Sequence, residues 1–493
     1  MKILTKFNNC SKYTKLSIAV LIIAILFRFI LMTISTISGD ACWYFSASKF
    51  IANNLDIPLH ESVGRDEPFW PPPLFHIISA FFYILFGGFG FKLVSPIFGS
   101  LTLIISYLIF RKFLDDRASF YAILFMSFIP IHIDYSILGY PAVTLTFFTI
   151  LSVYFAVNNR FILSGIIAGL AILTKYNAVF IIPVLIFIAY KKSKRNVLLK
   201  NLLFVTVIPG LIGLIWFIRN WIMLGNPVWP FLNFIFDGLQ RESYSNFGLV
   251  NLAQISTYAI TYLGFFGVPD GHYRAFFFFD IPYIWILITI FVIGTLIFIL
   301  PIFFGFKKDK SHHIFYVMLA SFGILLLLFE LNVRPAVSRI VLPAMFAVAF
   351  IYGSGFDSIL NKFPKFGKII LVLTIMIIGG FVFAETVKFK LAADSWDFYQ
   401  EDFDWVKSST NKDDVFLIQS QCIQFKMDRT QLIPTEEERI FSNNYDYVWI
   451  NQEFKLEPQS VLYDWQLDKL KNKNMQLVYE NKRTKTKIYK MIR

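Results

Sequence analysis

The sequence has little charge for its length. Only 16% of its 493 residues are Asp, Glu, Lys or Arg, whereas a soluble domain carries about 25%. Hydrophobic residues make up 56% of the chain, and the mean hydropathy is +0.59. Because apolar runs of membrane-spanning length also recur, the composition excludes a soluble enzyme, a disordered protein and a coiled coil. Most of the chain is therefore predicted to lie in lipid.

Cysteine is also scarce. Cys10, Cys42 and Cys422 have neither metal-binding nor redox-motif spacing, so they indicate nothing about the compartment. The sequence contains no internal repeat. The apolar run after the basic N-terminus lacks a small-residue cleavage site, which predicts a retained first helix rather than a cleaved signal peptide.

The excess of basic residues belongs to the apolar part of the chain. There are 46 Lys and Arg against 33 Asp and Glu, a net charge of +13, which on a soluble protein would suggest nucleic acid as a partner. The segment from Asp394 onward holds 15 basic and 17 acidic residues. The excess therefore lies before it, where basic loops set the orientation of a membrane protein, and no nucleic acid partner is expected.

The positions of the basic loops predict the topology. Besides the N-terminus, clusters of Lys and Arg fall at 111–117, 191–200, 307–310 and 362–368. If all of them face the cytoplasm, the spans between them come in even numbers. The predicted spans are 16–37, 92–110, 118–138, 141–157, 161–176, 178–190, 201–218, 282–305, 314–330, 341–356 and 369–387. Parity leaves no crossing for the apolar run 74–90, which is expected to lie in the interface or to re-enter.

These patterns predict an α-helical polytopic membrane protein with about eleven spans, a cytoplasmic N-terminus and an outside C-terminus. Residues 1–390 form its transmembrane part. Residues 391–493 have mixed charges and predict a small α/β domain outside the cell membrane. Its expected elements are strands at 415–418 and 447–450, a helix at 464–471, and a closing hairpin of 476–479 with 487–491.

Ionisable residues next to apolar spans are costly to hold there and are functional candidates. Asp40, at the predicted outer end of the first helix, is a candidate base that deprotonates an acceptor hydroxyl. The alternative is that it caps the helix that follows. Lys175, between two short spans, binds an anionic headgroup or snorkels to the surface. Arg219 and Arg339 also fall at outer ends, where several cations beside carboxylates suit a phosphate-bearing substrate. The alternative is an ordinary basic and aromatic belt.

Several of these motifs follow one another in a set order. They are Arg28 inside the first helix, Asp40 at its end, Glu67 before Pro71-Pro72-Pro73-Leu74, Leu173-Thr174-Lys175, Arg219-Asn220, and Arg339 before Leu342-Pro343. In this order the chain resembles the GT-C superfamily. Within it, the chain is most similar to the protein O-mannosyltransferases and the aminoarabinose transferases that modify lipid A. The likeness covers residues 1 to about 390.

The resemblance implies an inverting glycosyltransferase that uses a polyprenyl-phosphate sugar on the outer face of the membrane. The acceptor would be a protein, a lipid or a glycan. Asp40 matches the acidic residue of the family that deprotonates or orients the acceptor. Glu67 matches the Glu of a Glu-x-Pro-Pro-Leu motif, although Phe69 and Trp70 intervene here.

The resemblance also implies a pocket for the lipid phosphate. Lys175, Arg219 and Arg339 fall on positions associated with that pocket. His272 and Arg274 lie near a His and an Arg that some members use for a metal or for phosphate. A divalent metal as cofactor is left open.

The chain departs from the family at two places. Many members have Asp-Glu where this chain has Asp40-Ala41, and many have a second Asp where this chain has Gly139-Tyr140-Pro141. The nearest acid is Asp134, and the nearby His132 is expected to be a capped interfacial residue. These departures keep open a catalytically inactive partner subunit.

A transporter or flippase of lipid-linked sugars is the alternative from another class of protein. Such a protein usually places its charged groups near the bilayer midplane and shows paired repeats. This chain has its polar residues at the outer ends of spans and has no repeat, which favours the enzyme.

Overall fold

The computed structural model describes residues 10–61, 68–229, 232–239, 299–306, 312–332, 338–432, 444–454, 456 and 461–492. Most of these residues are helical. The helices of six or more residues are α1 (Lys12–Ile34), α2 (Asp40–Asn54), α3 (Leu74–Phe86), α4 (Gly88–Phe113), α5 (Asp116–Phe128), α6 (Pro130–Tyr135), α7 (Pro141–Val157), α8 (Phe161–Thr174), α9 (Ile182–Lys192), α10 (Leu198–Leu224), α11 (His313–Asn332), α12 (Met345–Lys362), α13 (Pro364–Asp397), α14 (Gln400–Ser409), α15 (Gln421–Met427) and α16 (Asp464–Lys471). Two 3-10 segments, Tyr176–Ile181 and Ser338–Ala344, lead into α9 and α12.

The helices confirm a multi-pass membrane protein. By length and apolar composition, five of the described helices are able to cross a membrane: α1, α4, α12 with the turn before it, α13, and α10 with the turn before it. Shorter apolar helices accompany them, namely α3, α7, α8 and the first part of α11. Of the predicted span 282–305, only 299–305 belongs to the described residues, where it is helical. The total of about eleven spans stays a prediction.

Helix α3 is short and packs against α2. Its 13 residues extend about 20 Å, short of the ~30 Å of a hydrocarbon core. Both of its ends contact α2: the ring of Phe75 packs edge-on against Tyr44 near the start, and the Lys49 Nζ lies 6.0 Å from the Tyr83 ring near the end. That the apolar run 74–90 does not cross the membrane stays a prediction.

The predicted span 118–138 is wrong as a single helix. Helix α5 ends at Phe128, Ile129 has an extended conformation with ψ of 127°, and Pro130 begins the short helix α6. Proline has no N–H to donate and disfavours a helical residue before it, so the helix breaks there. All six residues of α6 are buried, and this places its polar side chains inside the protein.

The helical core is closely packed and rich in phenylalanine. A Cβ on Gly353 of α12 would lie 2.4 Å from the carbonyl oxygen of Ala118 in α5, so glycine is what permits this approach of the two helices. On the same pair of helices, the rings of Phe125 and Tyr352 stack with centroids 4.5 Å apart. Aromatic residues therefore fill helix interfaces here as well as surface facing lipid.

The C-terminal residues form a small α/β domain, as predicted. Its strands are β1 (Val415–Leu417), β2 (Thr430–Leu432), β3 (Tyr447–Ile450), β4 (Met475–Asn481) and β5 (Thr486–Met491). The sheet order is β2-β1-β3-β5-β4, with β1 parallel to β2 and β3, and β5 antiparallel to β3 and β4. The structure places α16 and the closing hairpin at the predicted positions. Helix α13 runs on to Asp397, past the expected domain boundary at 390.

A disulfide joins this domain to helix α2. Cys42 of α2 and Cys422 of α15 are bonded across 380 residues of sequence. Lys49 of α2 forms an ion pair with Asp428 just after α15. The sequence does not predict this pairing, because residues so far apart carry no recognisable spacing. The domain is therefore fixed directly against the helix that begins at Asp40.

Candidate active site

Asp40 is the first residue of α2. Gly39 occupies the N-cap position with φ of +60°, and no side chain caps the helix. A Cβ at residue 39 would lie 2.9 Å from the hydroxyl oxygen of Tyr140, so both the backbone angle and the space favour glycine. Asp40 therefore stands one residue inside the helix, and the alternative that it serves as the N-cap is wrong. A carboxylate in the first turn interacts favourably with the helix dipole.

Arg339 lies against Asp40. Its Nη1 donates to the Asp40 Oδ2 at 2.7 Å. The side chain of Asp40 is 45% exposed and that of Arg339 is 15% exposed, so the pair sits at a boundary rather than in the interior. The guanidinium also lies over the ring of Tyr140, 5.2 Å from its centroid. Three segments that are distant in sequence thus meet at one ion pair.

Arg219 belongs to a second polar cluster near the C-terminal end of α10. Its Nη1 donates to the carbonyl oxygen of Phe69 and, at 2.9 Å, to the Asn220 Oδ1. The guanidinium lies 4.7 Å from the ring of Trp216. The stretch before α3, which follows the predicted Glu67 motif, is thereby tied to the long helix α10.

Lys175 joins the same cluster through the next residue. It is a partly exposed residue in an extended conformation, between α8 and the 3-10 segment that starts at Tyr176. The Tyr176 hydroxyl donates to the carbonyl oxygen of Trp70 at 2.8 Å and accepts from the Asn220 Nδ2 at 2.5 Å. This network holds Arg219 and the backbone next to Lys175 in place.

Aromatic rings connect the two clusters. Trp43 follows Asp40 by three residues, so both are on one turn of α2. The ring centroids of Trp43 and Trp70 are 6.2 Å apart, and those of Trp70 and Tyr176 are also 6.2 Å apart. A row of aromatic side chains thus runs from the Asp40 cluster towards the Lys175 and Arg219 cluster.

A buried ionic cluster lies on α6 and α13. The Nζ of Lys388 pairs with the carboxylates of both Asp134 and Glu385, and the three side chains are at most 8% exposed. Sequence reasoning considered Asp134 but missed its partners. The available signal was the i, i+3 spacing of Glu385 and Lys388 within an apolar helix, since such charges are kept in a span only when paired.

Arg28 of α1 lies on the other side of α6. It is fully buried, and its Nη1 and Nη2 donate to the carbonyl oxygens of Ala24 and Ser127 at 2.9 and 3.0 Å. Its Nη2 is 2.8 Å from the His132 Nδ1, which places the acceptor nitrogen of a neutral imidazole there. The expectation that His132 caps a helix at the interface is wrong, because α6 carries it into the interior.

Three predicted site residues, Glu67, His272 and Arg274, lie outside the described residues, and their assignments stay predictions. Within the part of the chain that the structure describes, no group of three or more His, Cys, Asp or Glu side chains is arranged to hold a metal ion. The described site therefore consists of a carboxylate paired with one arginine, a neighbouring cationic cluster, and the aromatic row between them.

Part of the chain is similar in sequence to known proteins. Residues 70–222, less than a third of the chain, match the family model described as dolichyl-phosphate-mannose-protein mannosyltransferase. A relative, an uncharacterized protein of Aquifex aeolicus (strain VF5), is 26% identical over 216 residues. That match spans 43% of this chain and about half, 49%, of the relative.

Two solved proteins have a similar structure over nearly the whole chain. ArnT from Cupriavidus metallidurans, in the crystal structure with undecaprenyl phosphate, matches with a TM-score of 0.62 at 13% identity, covering 96% of this chain and 97% of ArnT. The Archaeoglobus fulgidus oligosaccharyltransferase tethered to an acceptor peptide matches with a TM-score of 0.57 at 15% identity, covering 98% of this chain and 74% of that protein. The chain has the GT-C fold. This confirms the fold that the ordered motifs implied.

Proposed function

We propose that this chain is a glycosyltransferase that moves a sugar from a polyprenyl-phosphate carrier to an acceptor on the outer face of the membrane. The observation that carries the proposal is the Asp40 carboxylate at the start of α2, held 2.7 Å from the Arg339 guanidinium. The reaction needs a base to take the proton of the acceptor and a cation to stabilise the leaving phosphate, and this pair provides both next to each other. The family model is named for a dolichyl-phosphate sugar donor, and ArnT was solved with undecaprenyl phosphate, which supports a lipid phosphate as the donor.

The reaction follows from the charges of the site. Asp40 accepts the proton of an acceptor hydroxyl as its oxygen bonds to the anomeric carbon of the sugar. The bond from that carbon to the phosphate oxygen breaks, and the lipid phosphate leaves with the electron pair. Lys175, Arg219 and Arg339 stabilise the negative charge that develops on the phosphate. Attack opposite to the leaving phosphate inverts the anomeric centre.

The disulfide supports the outside location of this chemistry. Disulfides persist in oxidising compartments and are rare in the cytosol. Cys42 lies two residues after Asp40 and is bonded to Cys422 of the C-terminal domain. An outside position for this bond places Asp40 and the domain on the side where lipid-linked sugars are used.

A transporter or flippase is the second candidate, and the buried ionic cluster is the observation in its favour. Charged residues inside a span often mark a transport path. Here, however, the Lys388 ammonium is held by Asp134 and Glu385 together, and the three side chains are at most 8% exposed. Such a closed cluster suits helix packing better than passage of a substrate.

The test is a transfer assay with purified protein in lipid nanodiscs and a radiolabelled polyprenyl-phosphate monosaccharide. We expect label to pass to an acceptor fraction prepared from the source membranes. Lys175→Ala and Arg339→Ala should raise the KM for the donor by more than they raise the KM for the acceptor. Lys191→Ala, an exposed lysine at the other end of α9, serves as the matched control and should leave both unchanged.

Two outcomes contradict the proposal. Transfer from a nucleotide sugar without any lipid carrier would mean that the donor is wrong. The protein would instead be a transporter if it moved the lipid-linked sugar across the membrane of proteoliposomes while the bond between sugar and phosphate stayed intact.

A further inference from the structure

Arg339 is held from two sides. On one side is the Asp40 carboxylate at 2.7 Å, and on the other the ring of Tyr140, 5.2 Å from the guanidinium carbon. Cations within about 6 Å of a ring centroid are attracted to the ring face, and the attraction grows as water is excluded. Because the Arg339 side chain is only 15% exposed, the guanidinium makes these two contacts with little water around it.

The ring of Tyr140 is itself fixed. The residue is 2% exposed, and its ring packs against Tyr44 and Tyr135 with both centroid distances at 5.9 Å. Gly139 before it has φ of +77°, and a Cβ there would lie 2.6 Å from the Phe45 ring. The following residue, Pro141, begins helix α7. The ring therefore has little freedom to follow a moving side chain.

Arg339, by contrast, needs a support. Arginine has several rotatable bonds and loses up to about 2 kcal/mol of rotamer entropy when it is fixed. The Asp40 side chain is 45% exposed, and an ion pair with so exposed a partner contributes little by itself. The rigid ring beneath the guanidinium restricts the arginine to the position in which it meets Asp40.

We propose that Tyr140 is a positioning residue for transfer: its ring face holds Arg339 beside Asp40, so that the cation and the base keep their relative position. This inference rests on the proposed glycosyl transfer. It assigns Tyr140 a role through Arg339 and no contact with the reacting atoms. The ring, rather than the hydroxyl, is the part that acts.

The test compares Tyr140→Phe, which keeps the ring, with Tyr140→Leu, which removes it, in nanodiscs with the radiolabelled polyprenyl-phosphate sugar. We expect kcat/KM for the donor to stay within about twofold in Y140F and to fall by roughly 5- to 30-fold in Y140L, the range set by a partly desolvated cation–ring contact. Both changes are then repeated in an R339A background. In that background, adding Y140L should lower kcat/KM for the donor by less than about twofold relative to R339A alone. The reason is that the effects of two residues that act through one contact are not additive.

Tyr352→Leu is the matched control. Tyr352 is another buried tyrosine whose ring stacks on Phe125 in the helical core. Loss of its ring should lower stability by as much as Y140L does, and its effect should be the same with and without Arg339. Equal losses in Y140F and Y140L, or an effect of Y140L that persists in full in the R339A background, would overturn the inference.

Failure of the proposed function is distinguishable from failure of this inference. If wild-type protein transfers no sugar from any polyprenyl donor, the function is wrong. The contact is still measured by melting temperatures, since Y140L should then lower Tm more in the wild-type than in the R339A background. An equal drop in both backgrounds would contradict the contact itself.

Discussion

Asp40 is the residue on which the proposed chemistry depends most. Its carboxylate is accessible, lies in the first turn of α2 and has a cation at 2.7 Å. We expect Asp40→Asn to preserve folding, because the amide keeps the shape of the side chain and nearly half of that side chain is solvent-exposed. Transfer should fall by about 10²- to 10⁴-fold, the usual contribution of a general base, measured as kcat/KM in the nanodisc assay.

Asp56→Asn is the control for this change, since Asp56 is an exposed aspartate just beyond the same helix. It should leave transfer unchanged. If Asp40→Asn retains activity within about tenfold, a loss below about 1.4 kcal/mol of barrier, then the base lies elsewhere. Glu67 would be the next residue to change.

Lys388 is the residue on which the interior depends. Its removal would leave the carboxylates of Asp134 and Glu385 buried without a cation, and breaking a buried ion pair in this way costs about 3–5 kcal/mol. We expect Lys388→Met to lower the melting temperature of the purified protein strongly, whereas Lys390→Met should not, because Lys390 is exposed on the same helix. Adding Asp134→Asn and Glu385→Gln should recover part of the loss. A melting temperature unchanged by Lys388→Met would mean that the cluster does not stabilise the fold.

Sequence reasoning found some of these residues and could not find others. Asp40 and Arg339 are predictable as polar residues at the outer ends of spans, but their pairing joins positions 299 residues apart and needs the folded chain. Lys388 was not predicted as a buried residue, because the span 369–387 was expected to end just before it, whereas the helix continues to Asp397. Tyr140 stood out in the sequence only because many family members have an Asp there. A pattern of residue types does not reveal that the ring of a tyrosine lies beneath an arginine.

Helix α2 links the candidate site to the C-terminal domain. It begins at Asp40, carries Cys42 two residues later, and contacts the domain helix α15 through the disulfide and the pair of Lys49 with Asp428. The domain is thus able to influence the position of Asp40, the proposed base. Loosening this contact should disturb Asp40 more than the distant end of the membrane part.

The disulfide offers the test. We expect the double change Cys42→Ser and Cys422→Ser to lower the free energy of unfolding by about 2–4 kcal/mol, as for other disulfides, and to reduce transfer. Cys10→Ser, which alters the cysteine outside the disulfide, should change neither the melting temperature nor the rate. Full activity and an unchanged melting temperature in the double variant would mean that the domain is held by its other contacts alone.

The elements themselves were largely predictable where the local pattern is strong. The strands and the helix of the C-terminal domain follow from alternating or helical periodicity bounded by polar residues, and they are found where expected. The break in the predicted span 118–138 also has a local signal, the Ile129-Pro130 dipeptide. It was missed because the residues on both sides continue the apolar run. Strand β2 was missed because three residues beside a helix end provide too short a pattern.

In the molecule as a whole, the candidate site at Asp40 lies next to the C-terminal domain, which is bonded to the same helix. The multi-pass character follows from composition and apolar runs, and the GT-C fold from the family resemblance that the order of a few motifs carries. The positions of the helices around Asp40 are not visible in the sequence, because packing of long-range pairs decides them. Which end of the bundle faces outward is the remaining global property, and it has its own test.

The last prediction is that the C-terminal domain faces outward, with the basic loop between α9 and α10 inside. The basic clusters predict this orientation, and a disulfide between Cys42 and Cys422 is favoured on the oxidising side. In a Cys10→Ser background, a cysteine introduced at exposed Asn472 should react with an impermeant maleimide in intact cells. A cysteine at Ser193, in the loop before α10, should react only after the cells are opened. The reverse pattern would put Asp40 on the cytoplasmic side, where a lipid-linked donor on the outer face could not reach it, and both the topology and the proposed direction of transfer would then be wrong.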